Sequence, residues 1–160
     1  MEVSHELTFL NSARCQYLRQ VSQPRGNSLR LVVDEAVEMT SDSARDLDRR
    51  LANLRENLTN VSAIETTESR RSFELIGELY VAYLVNEECA GSCGNYDDET
   101  FRGALFRIYS NPHFLDHLAR DTGAHTRPIQ HYKVTCLNHL NDVASYAPPV
   151  IRVVAVASSN

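Results

Sequence analysis

Apolar residues recur along the chain in short runs, most with the two-residue period of a strand and a few with the period of a helix. Between positions 28 and 37, Leu29, Leu31 and Val33 alternate with Arg30, Val32 and Asp34, which predicts a strand buried on one face. Gln23-Pro24-Arg25-Gly26-Asn27 before it is a turn signal, because proline presets one backbone angle and Gly-Asn tolerates positive φ. Upstream, Leu7, Phe9, Leu10, Cys15, Tyr17, Leu18 and Val21 read as a short extended segment or a strand with an irregular continuation over 6–20.

Leu47, Leu51, Leu54 and Leu58 follow the N-cap candidates Ser41, Asp42 and Ser43 and line one face of a helix predicted over 43–58. The stripe suits packing onto a sheet; as a dimer seam it falls short of the three or more heptads that coiled coils use. Positions 59–67, with Val61 and Ile64, read as a linker or a short edge strand. The most apolar run, 72–86, fits both periods: Phe73, Leu75, Leu79, Val81, Tyr83 and Val85 share one parity, while Leu75, Ile76, Leu79, Tyr80, Tyr83 and Leu84 share a helical face. Its Val, Ile, Tyr and Phe favour one long strand with a bulge or bend at Gly77.

A loop over 89–98 leads to an alternating strand over 101–109. Ser110 or Asn111 followed by Pro112 starts a helix over 112–121, with Phe114, Leu115 and Leu118 inward and Gly123 as its stop. Strands follow over 129–137, over 140–146 across a tight turn at Asn138-His139, and over 150–156 after the Pro148-Pro149 break; positions 158–160 fray. There is no internal repeat and no linker, so the expectation is one domain over 1–160 of class α+β, a mainly antiparallel β-sheet with two short helices.

Composition narrows the function classes. At 160 residues, 42% hydrophobic and 23% charged, the chain can bury a core without staples. No apolar run reaches the roughly 18 residues of a membrane span, and the amino terminus lacks the features of a secretory signal, so the expected location is cytoplasmic, with no membrane partner. The four cysteines, at 15, 89, 93 and 136, form no regular framework and are expected as thiols, Cys136 as a small core residue. A net charge of −5 argues against nucleic acid.

The candidate chemistry is sparse. His113 and His117, four apart on the predicted helix, can bridge one zinc ion, with Asp121, His125 or His131 as the third ligand; His125 completes the leading set. The intervening Phe-Leu-Asp lacks the glutamate of the zinc-protease pattern. His125 and Arg127 in the loop 123–128 are candidates to contact an anion. Cys89 and Cys93 lack a second pair to close a metal site, and Asp97, Asp98 and Glu99 lack calcium-loop spacing. With no nucleophile elbow and no glycine-rich phosphate loop, no cofactor is expected, zinc being the alternative.

Three sets of residues carry a resemblance: Tyr80-Val81-Ala82-Tyr83 with Asn86-Glu87-Glu88, Leu105-Phe106-Arg107-Ile108-Tyr109 with His113-Phe114-Leu115-Asp116, and His131-Tyr132 with Cys136-Leu137-Asn138. Through them, residues 73–149 resemble a group of small uncharacterised bacterial cytoplasmic proteins, which implies a bacterial origin and no particular activity. The leading expectation is a non-enzymatic protein-interaction module, in bacterial regulation or defence, that binds another protein or a second copy through an exposed sheet edge or loop surface. Seven tyrosines and the leucine stripe support it. The alternatives are a small metal-dependent hydrolase at His113 and His117, and a small-ligand binder with a pocket between helix and sheet.

Overall fold

The computed structural model describes residues 5–38, 64–65, 71–87, 98–122 and 127–154. In chain order these form α1 (His5–Asn11), β1 (Cys15–Ser22), β2 (Ser28–Glu38), β3 (Ile64–Glu65), β4 (Ser72–Glu78), β5 (Tyr80–Glu87), β6 (Phe101–Arg102), β7 (Phe106–Tyr109), α2 (His113–Thr122), β8 (Gln130–Thr135), β9 (His139–Ser145) and β10 (Val150–Val154). The strands make two antiparallel sheets, so the fold is mainly-β α+β. The first has the order β1-β2-β4-β10, with β3 paired to the end of β2, and the second has the order β5-β9-β8-β7-β6.

The core lies between the sheets. Leu29, Leu31 and Val33 of β2 with Phe73 and Leu75 of β4 meet Phe106, Tyr132, Val134 and Val143 of the second sheet. Burying side chains of this size contributes roughly 1.5–3 kcal/mol each before entropy is counted. Cys136, just past β8, is part of this core, and burial pushes its thiol up to about 12. A cavity of about 20 Å³ between the sheets has room for about one water molecule.

Three segments differ from the sequence expectation. The chain over 6–20 opens as the helix α1, because Leu7 and Leu10, three apart, turn one helical face to the core and Leu10 is wholly buried. The strand expected over 101–109 is interrupted at Gly103, whose φ of 96° belongs to glycine; a Cβ there would stand 2.0 Å from the Phe106 carbonyl oxygen. The apolar run 72–86 is two strands in two different sheets rather than one.

The break in that run falls at Leu79 (φ 63°), while Gly77 stays in the ladder opposite Leu29. Leu79 N–H donates to the Asn27 carbonyl at 2.9 Å, and its own carbonyl accepts from Tyr146 N–H at 3.3 Å. Long-range hydrogen bonds hold the corner, and Asn27 itself is left-handed (φ 58°) in the turn that the sequence signalled. The helix expected over 43–58, its leucine seam, and Cys89, Cys93 and Asp97 lie outside the described residues. Among the described residues no helix is long and apolar enough to cross a membrane.

Two asparagines close sheet edges. The turn after β8 lies along β1: Leu137 N–H donates to the Gln16 carbonyl at 2.8 Å. There Asn138 accepts from Leu18 N–H through Oδ1 at 2.9 Å and donates Nδ2 to the Leu18 carbonyl at 3.0 Å, as a neighbouring strand would. At the end of α1, Asn11 Oδ1 accepts from the N–H groups of Ala104 (3.0 Å) and Phe106 (2.9 Å), covering β7 where β6 has ended. Next to it, Phe9 packs edge-on against Phe73, with the Arg71 guanidinium 4.2 Å above the Phe9 ring and paired to Glu35.

Candidate functional site

Alternation along β8 sends Tyr132 and Val134 to the core and His131 and Lys133 to the opposite face. The β8–β9 register puts Asp142 opposite Lys133 on that face, and the β5–β9 register puts Leu84 beside Asp142 and Asn86 beside Leu140. The helix α2 adjoins this surface through Phe114, whose ring centroid lies 5.0 Å from that of His131. Between them is a cleft of about 250 Å³, lined by His113 and His117 of α2, His131, Lys133 and Asp142 of the sheet, and the Glu99 side chain.

The ionisable groups of the cleft are arranged in pairs. Asp142 Oδ1 lies 2.7 Å from His131 Nε2 and 3.2 Å from Lys133 Nζ, all three being largely buried. Lone charges at such depth are expensive, and here each side chain lies within reach of a partner. The His131 ring also stacks on Tyr109 at 4.4 Å, and its Nδ1 is buried with no partner among the described residues. At the rim, Glu99 Oε1 accepts from the His113 N–H at 2.8 Å and satisfies a free donor at the start of α2. His113 Nε2 meets Asp98 Oδ1 at 2.7 Å; this hydrogen bond raises the imidazole above its ordinary pKa and lowers the carboxyl below its own.

The structure therefore brings His113 and His117 to one cleft, together with His131 from the alternatives for a third ligand. His131 Nε2 is committed to Asp142, while His125 and the side chain of Asp121 lie outside the described residues. Among the described residues, no group of three or more His, Cys, Asp or Glu side chains is placed to hold a metal ion. Of the anion-contact pair, Arg127 is exposed with its guanidinium 4.8 Å over the Tyr146 ring.

The cleft ends at β5, and β5 is the edge of the second sheet. It pairs with β9 on one side, and among the described residues no strand pairs with the other. Its eight residues, Tyr-Val-Ala-Tyr-Leu-Val-Asn-Glu, form the longest such edge of the second sheet. Large apolar side chains stay exposed there: Leu79 by 47%, Tyr83 by 39% and Leu84 by 45%. Tyr83 and Leu84 are consecutive in a strand and so flank the edge from opposite faces. The sequence pattern missed this site because period alone does not say which strand lies at an edge.

No protein-family model matches the chain, and neither a curated protein nor a solved structure matches it.

Proposed function

We propose that the protein is a protein-interaction module that binds an extended segment of its partner along β5. The observation that carries this reading is the eight-residue edge strand, open on its outer side among the described residues, with Tyr83 exposed on one face and Leu84 on the other. Backbone hydrogen bonds from an added strand supply affinity without demanding a particular sequence, and side chains beside an edge supply preference. A long apolar edge left open invites association, and many proteins blunt such edges with charged residues, proline or a bulge. The middle of β5 has none of these; its register irregularity falls at the start, between Tyr80 and Ala82.

The test is photo-crosslinking in cells with p-benzoylphenylalanine installed at Leu84 or, as a control, at Gln20 on β1. A discrete adduct from Leu84 that is lost when Tyr83→Lys is added, with none from Gln20, supports the reading. The same adducts from both positions, or none from either, overturn it. Tyr83 is 39% exposed and its ring packs edge-on against Tyr80, so Tyr83→Lys should cost on the order of 1 kcal/mol of folding stability, and circular dichroism of the variant keeps the comparison interpretable.

A further inference from the structure

In the cleft between α2 and the second sheet, the cationic groups are already held and the anionic ones are not fully used. Lys133 Nζ and His131 Nε2 both reach Asp142 Oδ1, His113 Nε2 is held by Asp98, and His117 is not without a partner either. The two carboxylates that line the cleft each engage a single oxygen: Oδ1 of Asp142, and Oε1 of Glu99 on the His113 N–H. An ionised carboxyl only accepts, and it has about four positions to fill. Asp142 Oδ2 and Glu99 Oε2 accept no hydrogen bond among the described residues. Asp142 is only 6% exposed, yet its Oδ2 is not among the fully enclosed atoms that lack a partner, so it opens on the cleft. A nearly buried acceptor left without a donor is costly, and here the donor has to come from outside the described residues.

The walls fix the rest of the ligand's character. Leu84, Phe114 and Leu140 give the cleft an apolar side, and its 250 Å³ or so is below the roughly 300–1,000 Å³ of sites for drug-sized ligands. We infer that this cleft binds a small aliphatic amine, its ammonium group drawn to the Asp142 and Glu99 carboxylates and its carbon chain lying against Leu84, Phe114 and Leu140. A primary ammonium brings three N–H donors and keeps its charge at neutral pH. An anion of the same size would have to draw Lys133, His131 or His113 away from the carboxylates that hold them. The chemistry is shared by a free amine and by a lysine side chain carried on a partner's segment, and the test separates these sources. It does not rest on strand addition along β5.

The experiment is an NMR titration of the whole chain with n-butylamine and with butyrate, at matched ionic strength, read at the methyl groups of Leu84 and Leu140. Butylamine should shift these signals and bind about tenfold tighter than butyrate, the difference expected from a charge-assisted hydrogen bond. Butyrate binding as well as butylamine or better would overturn the assignment to a cation. No shift with either would overturn the site and leave water as the donor to Asp142. Asp142→Asn should abolish the shifts, but it also disturbs the contacts of His131 and Lys133. Glu99→Gln therefore carries the decision: it keeps an oxygen for the His113 N–H, removes only the charge, and should weaken butylamine about three- to fivefold. Unchanged affinity in that variant would overturn the pairing with Glu99. An end-blocked Val-Thr-Lys-Thr-Val peptide that binds at least about tenfold tighter than butylamine supports a lysine side chain as the source, and one that binds no tighter supports a free amine.

Discussion

The outer edges of β1 and β5 are built to opposite ends. Along β1, Asn138 and Leu137 occupy the backbone groups of Leu18 and Gln16 that another strand would use, so the first half of that edge is covered inside the molecule. Along β5 the described residues leave the outer side without a strand and hold Tyr83 and Leu84 exposed beside it. The same backbone chemistry is spent on the fold in one place and has no neighbouring strand among the described residues in the other. An edge is therefore defined by what lies next to it, and a few side-chain amides decide which edges stay open.

The largest effect on this contrast should come from Gly103→Ala. Positive φ and the nearby Phe106 carbonyl would force the turn apart and withdraw Ala104 and Phe106 from Asn11; a loss upwards of about 3 kcal/mol is expected, read by chemical denaturation. Asn138→Ala comes next. It strips the part-buried Leu18 N–H and carbonyl of their partner and should remove roughly 1–3 kcal/mol. At about 2–4 °C per kcal/mol, thermal unfolding would show it, and light scattering should reveal new association through the uncovered β1.

A smaller change, of opposite sign, is expected from Leu79→Gly. A left-handed leucine is strained and this one is half exposed, so glycine should add up to about 1 kcal/mol of stability. An unchanged or lower midpoint in thermal unfolding would show that Leu79 contributes more through packing than its backbone costs.

The smallest effect belongs to the exposed His113–Asp98 pair at the rim of the cleft. The raised imidazole contributes stability that is present below its unfolded pKa and is lost as pH rises through its folded value. The lowered carboxyl contributes above its unfolded pKa, and that contribution is lost as pH falls through its folded value. The pair therefore helps most in the mildly acidic range between the two ordinary values, about 4 to 6.5. An NMR titration should find the His113 pKa lower in Asp98→Asn than in the parent chain; no change would mean that the contact does not persist in solution.

The strands over 28–38, 130–135, 139–145 and 150–154 and the helix over 113–122 were legible in the sequence, the first two strands and the helix from their period and the last two strands from the turn at Asn138-His139 and the break at Pro148-Pro149. The helix α1 was not: seven residues make less than two turns, too few for a period to separate from an extended reading. At Leu79 the obvious breaker, Gly77, misleads. It has ordinary room for a Cβ within the ladder, whereas the true corner is held by Asn27 and Tyr146, remote in sequence. The grouping of His131, Lys133 and Asp142 was within reach, since a β8–β9 hairpin with strict alternation places all three on one face. That β5 would be an edge was not within reach, because strand order is decided by packing between segments far apart in the chain.

The Leu79 corner also sets how the molecule would carry a mechanical load. A partner tugging on β5 pulls on a strand held by one neighbour, which can peel from β9 a bond at a time. The same tension passes through one residue into β4, clamped by β2 on one side and β10 on the other. Under tension β5 should yield first and β4 should act as the anchor, so that a bound partner could be drawn away with its strand while the first sheet keeps its shape.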